Sequence, residues 1–142
     1  MKTCLVGCGG IAAVHGSVLT SGIDTEFVAA ADIKLEKAQS YAENFHTKPY
    51  PSLESMLEAE KPDVLHICTP HYLHVPMAIY SLERNINVFM EKPPAISFDQ
   101  LEELKKAAAK SDAQLGFCYQ NRYNASIRAA KDLIDSGKSG KV

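Results

Sequence analysis

The sequence predicts an α/β fold built on a doubly wound parallel sheet of about six strands, with helices on both faces. Three observations lead to this prediction: strand-like and helical segments alternate, the turns between them are short, and the strand 26–31 is apolar enough to be buried on both faces. Continuously apolar strands are buried on both faces, which is typical of parallel sheets. Right-handed crossovers then leave few topologies, of which the doubly wound sheet fits best.

The first half of the chain is predicted to form three strands and three helices. Glycines follow the first strand and end the first helix, prolines shorten the third strand, and Ser52 is placed to cap the third helix. In chain order, these elements are the strand 3–6, the helix 10–21, the strand 26–31, the helix 35–45, the short strand 48–51 and the helix 53–59. Residues 2–32 are therefore a predicted βαβ unit.

The second half repeats the alternation of strands and helices. A helix with apolar residues at helical spacing follows His71, and Ser97 is placed to cap a later helix rich in Lys and Glu. In chain order, these elements are the strand 63–68, a helix from 71 to about 82, the strand 88–91, the helix 98–110, the strand 114–119 and a helix over about 124–135. Together the two halves predict a Rossmann fold.

Length and composition exclude several classes of protein. The chain has 142 residues, 46% hydrophobic and 23% charged, with a formal net charge of -2, which is ordinary for one globular domain and offers no basic surface for nucleic acid. The longest apolar runs are strand-sized, well short of the roughly 20 residues of a membrane-spanning helix. The amino terminus has no basic segment followed by an apolar region, so we expect a cytoplasmic location.

The cysteines and histidines do not predict a metal site. The cysteines lack the paired two-residue spacing of zinc and dithiol sites and are expected to be reduced thiols; they are Cys4, Cys8, Cys68 and Cys118. His71 and His74 share a helix face, but no third ligand has a suitable spacing. His66 is expected to be a core histidine, while His15 and His46 have no chemical neighbours in the sequence and are given no role.

A glycine turn, Gly7-Cys8-Gly9-Gly10-Ile11-Ala12, joins the first predicted strand to the first helix. The first glycine permits a tight turn, the second lets the backbone approach a pyrophosphate, and the small Ala12 lets the helix pack closely on the strand. Free N–H groups and the positive end of the helix dipole would face the phosphates. Glycine turns are common, and only their position between a strand and a helix makes this one indicate a dinucleotide site.

Asp32 ends the second predicted strand, twenty residues past Ala12. A carboxylate there can accept hydrogen bonds from a ribose diol and would repel a 2′-phosphate, so the sequence predicts NAD as the cofactor. Lys34 and Lys37 could receive a 2′-phosphate, but their spacing suits the exposed face of the next helix better. NADP is therefore the less favoured alternative.

Two further segments follow strands at the expected crevice. Cys68-Thr69-Pro70 ends the fourth strand, and His74 falls in the first turn of the following helix, so these residues can line the crevice. Glu91-Lys92-Pro93 ends the fifth strand. A lysine beside a cofactor can orient or polarise a substrate oxygen, and partial burial would suit it to proton transfer.

With these motifs in order, and with Gln120-Asn121-Arg122 after them, the sequence resembles the Gfo/Idh/MocA oxidoreductase family over essentially its whole length. The Glu-Lys-Pro motif is the most specific part of this resemblance. The resemblance implies that Lys92 takes part in catalysis beside the nicotinamide and that Glu91 shapes the cofactor site. It also implies a cis peptide between Lys92 and Pro93.

The resemblance assigns the remaining site residues as well. It implies that the backbone from Cys8 to Ile11 holds pyrophosphate, that Asp32 holds the adenosine ribose, and that the wall of the crevice is formed by residues after the fourth strand. Those wall residues are Cys68, Thr69, Pro70 and His74. Gln120 and Arg122 would lie on the nicotinamide or substrate side.

Members of this family continue into a second α/β domain, which has no counterpart within these 142 residues. Residues 1–120 are therefore expected to be the dinucleotide-binding Rossmann domain, and residues 121–142 the last helix and the start of a connection to that substrate domain. An Asp and a His acting with Lys92 are also expected there, so this chain alone would be inactive.

The resemblance implies an oxidoreductase that transfers hydride between NAD and a hydroxyl-bearing carbon of a sugar, cyclitol or related polyol. It leaves room for a homo-oligomer of the longer protein. The alternative is a module that binds NAD(H) for sensing or regulation without chemistry, since a fold alone does not fix a function.

Overall fold

The computed structural model describes residues 1–22 and 24–141. Its strands are β1 (Lys2–Val6), β2 (Glu26–Ala31), β3 (Lys48–Tyr50), β4 (Val64–Ile67), β5 (Asn87–Met90) and β6 (Leu115–Phe117). Its helices are α1 (Gly10–Leu19), α2 (Leu35–Phe45), α3 (Leu53–Glu60), α4 (His74–Leu82), α5 (Phe98–Lys110) and α6 (Ala125–Asp135). Short 3-10 helices lie at His71–Leu73 and Gln120–Tyr123.

All six strands form one parallel sheet in the order β3-β2-β1-β4-β5-β6, which confirms the predicted doubly wound Rossmann fold. β2 and β3 lie in turn on one side of β1. The chain then crosses to the other side of β1, where β4, β5 and β6 follow in turn. The order of the strands therefore reverses between β1 and β4. Loops at the carboxyl ends of these two strands leave in opposite directions, which opens a crevice between them.

The structure differs from the prediction mainly at the ends of elements. α1 ends at Leu19, before the predicted end at Ser21, because the hydroxyls of Thr20 and Ser21 donate to backbone carbonyls of the last turn at 2.8 and 2.7 Å. β6 is shorter than the predicted strand 114–119. It is an edge strand that pairs only with β5, and the register joins just three residue pairs.

Two apolar clusters cover the two faces of the sheet. α1 and α2 pack on one face, around Leu5, Ala12 and Tyr41. α3, α4 and α5 pack on the other, in a larger cluster that includes Met56 and Leu104. Successive residues of a strand point to opposite faces, so His66, between two residues of the larger cluster, lies on the α1 face.

A buried carboxylate joins three elements at the amino-terminal edge of the sheet. Glu60, the last residue of α3, accepts hydrogen bonds from the Tyr50 hydroxyl at 2.6 Å and the Lys48 ammonium at 2.9 Å, and Lys2 of β1 lies 3.0 Å from its other oxygen. The hydrogen bonds from Tyr50 and Lys48, with the charge of Lys2, lower the pKa of Glu60 to about 2. α3 is thereby tied to β1 and β3 at the edge opposite the crevice.

The last helix lies on the surface. None of the residues of α6 is buried, and Ile127, Leu133 and Ile134 leave 52%, 49% and 44% of their surface exposed. Within the part of the chain that the structure describes, no helix combines the length and the hydropathy needed to cross a membrane.

Candidate functional site

The glycine turn follows β1 and opens α1, as predicted. Gly7 has a φ of +93°, and its N–H donates to the carbonyl of Ala31 at 2.8 Å. A Cβ on Gly7 would lie 2.7 Å from backbone atoms of Cys68 and Thr69, so the turn is pressed against the end of β4. No side chain can be accommodated at this approach, and the first glycine of the turn is required by both its φ and its contacts.

The start of α1 is open. Gly9 is the N-cap residue, the first turn of the helix has no acidic side chain, and no side chain caps its N–H groups. Among the described residues, apart from its chain neighbours, no atom lies within 4 Å of a Cβ built on Gly9 or Gly10. The free N–H groups and the positive end of the helix dipole therefore face open space, an arrangement suited to an anion.

Asp32 is fixed beside this turn by two backbone hydrogen bonds. Its Oδ2 accepts from the N–H of Cys8 at 2.9 Å, and its Oδ1 accepts from the N–H of Lys34 at 2.9 Å. A carboxylate has about four acceptor positions, so both oxygens keep capacity for further donors. The carboxylate is held at the rim of the crevice in a defined orientation.

The crevice itself has a volume of about 450 Å³ and lies at the carboxyl ends of β1, β2 and β4. It brings together three of the predicted segments, the glycine turn, Asp32 and the residues after β4. The residues that line it include Gly7, Gly9, Asp32, Ile33, Thr69 and Pro70. Cys68 also lines it, and burial raises the pKa of its thiol well above the usual range, so it is a thiol rather than a thiolate.

His74 lies behind the wall of the crevice. The sequence placed it in the wall, but its ring is fully buried, with Nδ1 2.8 Å from the carbonyl oxygen of Pro93 and Nε2 3.0 Å from that of Thr69. It therefore ties the loop after β4 to the loop after β5. Because both ring nitrogens are engaged by carbonyl oxygens, His74 is not available to a metal beside His71.

Lys92 lies in a second cleft, of about 470 Å³, at the ends of β5 and β6. The structure brings Lys92 together there with Gln120 and Arg122, which were predicted to lie on the same side of the site. The Lys92–Pro93 peptide is cis, which confirms the prediction. The side chain of Lys92 is exposed, so its amine can reach a ligand in the cleft.

Glu91, by contrast, is 5% exposed and lies beneath this cleft. Its Oε1 is 3.2 Å from Nε2 of His15, and its Oε2 accepts from the backbone N–H of Lys92 at 3.2 Å. Burial alone would raise the pKa of Glu91, but the hydrogen bonds from His15, the Cys118 thiol and the Lys92 N–H outweigh it, so the pKa lies below its ordinary value. Glu91 is an ionised carboxylate with a hydrogen-bond partner at each oxygen.

Sequence analysis gave His15 no role, yet it is a buried partner of Glu91. Its Nδ1 lies 2.9 Å from Nδ1 of His66, with the two rings edge to face. The only sequence signal was position: His15 follows Ala12 by three residues and precedes Leu19 by four, so it lies on the apolar face of α1.

His15, Glu91 and Cys118 offer a nitrogen, an oxygen and a sulfur within 4.8 Å of one another. These atom types suit zinc. The carboxylate, however, already has His15 at one oxygen and the Lys92 N–H at the other. Burial and the nearby Glu91 raise the pKa of the Cys118 thiol, which keeps it protonated. The group is explained by its hydrogen bonds.

Comparison with known proteins agrees with this geometry. The family described as "Oxidoreductase family, NAD-binding Rossmann fold" (GFO_IDH_MocA) matches residues 1–119. The chain belongs to this family. The match covers the whole sheet, the glycine turn and the loops after β2, β4 and β5, and it ends just before Gln120 and Arg122.

Among curated relatives in the family, D-glucoside 3-dehydrogenase of Escherichia coli (strain K12) is 29% identical over 144 residues, covering 100% of this chain and 41% of that protein. Among solved structures, the WlbA dehydrogenase from Bordetella pertussis in complex with NADH and UDP-GlcNAcA superimposes with a TM-score of 0.93 and 30% identity, covering 99% of this chain and 43% of that one.

The myo-inositol dehydrogenase from Lactobacillus casei in complex with NAD(H) and myo-inositol superimposes with a TM-score of 0.87 and 27% identity, covering 96% of this chain and 42% of that one. The chain thus spans between 41% and 43% of the length of these relatives. The part that they share with it is nearly the whole of this chain.

Proposed function

We propose that this chain is the NAD(H)-binding domain of an oxidoreductase that transfers hydride between the nicotinamide and a hydroxyl-bearing carbon of a sugar, cyclitol or related polyol. The observation that supports it best is Asp32, whose carboxylate is held by two backbone N–H groups beside the open start of α1. Relatives in the family that are named for glucoside or inositol dehydrogenation support the class of substrate.

The geometry suggests how the cofactor would lie. Its pyrophosphate would meet the free N–H groups at Gly9 and Gly10, and its adenosine ribose would donate to Asp32. Ile33, which lines the crevice with 93% of its surface exposed, is placed to cover the adenine. The nicotinamide would then extend toward Lys92.

When bound, the cofactor supplies the hydride chemistry. Lys92 would orient and polarise the reacting oxygen from the cleft that it shares with Gln120 and Arg122. Removal of hydride from a CH–OH carbon also releases the hydroxyl proton. We propose that a group outside residues 1–142 accepts it.

We further propose that residues 1–120 form the cofactor domain and that residues 121–142 begin the connection to a substrate domain. All described residues from 119 to 141 are exposed, including the apolar side chains of α6, which supports this division. This chain alone is expected to bind cofactor without turning substrate over. Turnover of any polyol by the 142-residue chain would contradict the division.

The cofactor proposal is tested by a substitution that the fold tolerates and the cofactor does not. Gly9 has a φ of -87°, open to any residue, and no described atom within 4 Å of an added Cβ. Gly9→Val should therefore leave the thermal midpoint nearly unchanged while raising the Kd for NADH, measured by fluorescence titration, by about tenfold or more. Ala13→Val, at an exposed position of α1, is the control and should affect neither quantity.

Two outcomes would overturn the cofactor proposal. The unmodified chain would show no saturable NADH binding, or it would prefer NADPH strongly.

Lys92→Met should leave the Kd for NADH nearly unchanged, because its amine lies outside the crevice that faces the pyrophosphate and ribose. In a longer form that turns substrate over, the same substitution should abolish turnover.

A further inference from the structure

We propose that His15 is a positioning residue for Lys92: it acts through Glu91, and it thereby joins the helix that faces the cofactor's phosphates to the loop that holds the lysine. The inference rests on the proposed function only in taking Lys92 as the reacting lysine. The contacts that support it come from α1, β4, the end of β5 and α4.

His15 occupies a position where the fold would otherwise place an apolar side chain. Ala12, Gly16 and Leu19 share the buried face of α1 with it, and His15 itself is 6% exposed. A buried imidazole needs hydrogen-bond partners, because an unsatisfied polar group inside a protein is destabilising. The partners it has are His66 and Glu91.

His66, His15 and Glu91 are linked in a row, and the protonation of His15 follows from that of its two neighbours. Burial, followed by the nearby His15, lowers the pKa of His66 to about 4, so His66 is neutral at pH 7. Glu91 is ionised and can only accept. Neutral His66 can donate its Nδ1 proton to Nδ1 of His15, and a His15 that accepts there bears its own proton on Nε2, from which it donates to Glu91.

Glu91, which is held by His15, in turn fixes the backbone of Lys92. Its Oε2 accepts from the Lys92 N–H at 3.2 Å, while His74 of α4 holds the carbonyl of Pro93 at 2.8 Å. The turn that presents the lysine is thus held from two sides by buried histidines, one on α1 and one on α4. Because the Lys92 side chain is exposed, its direction depends on this backbone.

His15 also couples two parts of the site that are far apart in sequence. It lies five residues after Gly10, where α1 begins, and its carboxylate partner is 76 residues away. A shift of α1 when an anion binds at its start would move His15. Because His15 contacts Glu91, the shift would also move Glu91 and the backbone of Lys92. His15 is the described contact by which α1 reaches that carboxylate.

Amide hydrogen exchange at Lys92, at pH 7 by NMR, tests the proposal in the 142-residue chain. His15→Met keeps volume and helix propensity but removes the donor, and it should speed exchange of the Lys92 amide by about tenfold or more relative to the Leu65 amide in central β4. His15→Gln, whose amide can still donate, should restore much of the protection. His46→Asn, at an exposed left-handed position, is the control and should leave it unchanged.

The comparison with Leu65 separates positioning from general destabilisation, which would speed both amides equally. Equal acceleration, or an unchanged Lys92 amide in His15→Met, would overturn the inference. If His15→Met fails to fold, the NMR resonances of the histidine ring nitrogens in the unmodified chain test the inference instead. We expect a protonated Nε2 on His15 and no titration of His66 between pH 5.5 and about 8; an unprotonated Nε2, or titration of His66 near pH 6.5, would overturn it.

NADH addition tests the coupling. A saturating concentration should shift the Lys92 amide resonance in the unmodified chain, and the shift should be reduced at least about twofold in His15→Met at equal saturation. An undiminished shift would contradict the link to α1. Failure of the unmodified chain to bind NADH would instead contradict the proposed function, while the exchange result for His15 would stand by itself.

Discussion

Glycine is required at position 7 for two separate reasons. Its φ of +93° lies where an L side chain is strained, and a Cβ would lie 2.7 Å from the backbone at the end of β4. Gly22 has nearly the same φ, +90°, but no described atom beyond its chain neighbours lies within 4 Å of its Cβ. The two positions therefore separate strain from steric overlap.

Gly22→Ala should destabilise the chain by about 1 to 2 kcal/mol, the cost of a left-handed alanine. Gly7→Ala should cost at least about 1 to 3 kcal/mol more, because the ends of β1 and β4 must separate. Urea unfolding of the two variants measures both. Equal losses in the free energy of unfolding would show that the end of β4 can move away from a Cβ at Gly7 without cost.

Asp32 allows a prediction about cofactor choice. Asp32→Asn leaves one oxygen for two backbone donors, those of Cys8 and Lys34, and removes the charge that repels a 2′-phosphate. The Kd for NADH should rise about tenfold, and the preference for NADH over NADPH should fall. Asp112→Asn, an exposed loop substitution, serves as the control in the same titrations. An unchanged preference would exclude Asp32 as the residue that selects the cofactor.

Residues whose positions follow from local sequence were the ones that could be placed in advance. Gly7 and Asp32 follow strands at a recognisable spacing, and Lys92 lies in a specific motif. The role of His15 could not be predicted, because its partners lie 51 and 76 residues away and meet it only when β4 and β5 assemble beside α1. The inward placement of His74 has the same origin, since its partner Pro93 is 19 residues away.

At the scale of elements, alternation of strand-like and helical segments predicted all six strands that the structure describes, since the inner strands of a parallel sheet are rich in apolar residues. It did not predict how the elements are joined at the amino-terminal edge. There the carboxylate of Glu60 links α3 to β1 and β3. These contacts depend on long side chains that strand and helix patterns leave unspecified.

Glu60 should make stability depend on pH. Its pKa is lowered from 4.5 to about 2 in the folded chain, so below pH 4.5 the unfolded chain takes up the proton first. The stabilisation is complete above about pH 5 and is lost as the pH falls toward 2. Glu60→Gln should cost about 1 to 3 kcal/mol at pH 7 and flatten the profile in that window.

The control for Glu60 lies on the same helix. Glu58 is exposed, and Glu58→Gln should leave both the free energy of unfolding at pH 7 and its pH profile nearly unchanged. Denaturant unfolding at a series of pH values would measure the three proteins. A parallel pH profile for Glu60→Gln and the unmodified chain would contradict the contribution of Glu60.

At the scale of the whole molecule, the stability of this chain should come from its sheet and not from its last helix. Leu104→Ala in α5, where the leucine is 1% exposed, should cost about 2 to 5 kcal/mol. Leu133→Ala in α6, where it is 49% exposed, should change the free energy of unfolding by less than about 0.5 kcal/mol. Calorimetry on the two variants distinguishes them, and a large loss for Leu133→Ala would show that α6 packs on the domain.

The parallel strand order has a consequence for how such a protein diversifies. Gly7, Asp32, Thr69 and Lys92 all lie in loops at the carboxyl ends of strands, whereas the Glu60 contacts and both apolar clusters lie beneath or opposite them. Substitutions at exposed positions of these loops can therefore change contacts with a ligand while the Glu60 contacts and the apolar clusters stay intact. The parallel arrangement thus keeps most of the residues that would contact a ligand apart from most of those that stabilise the fold.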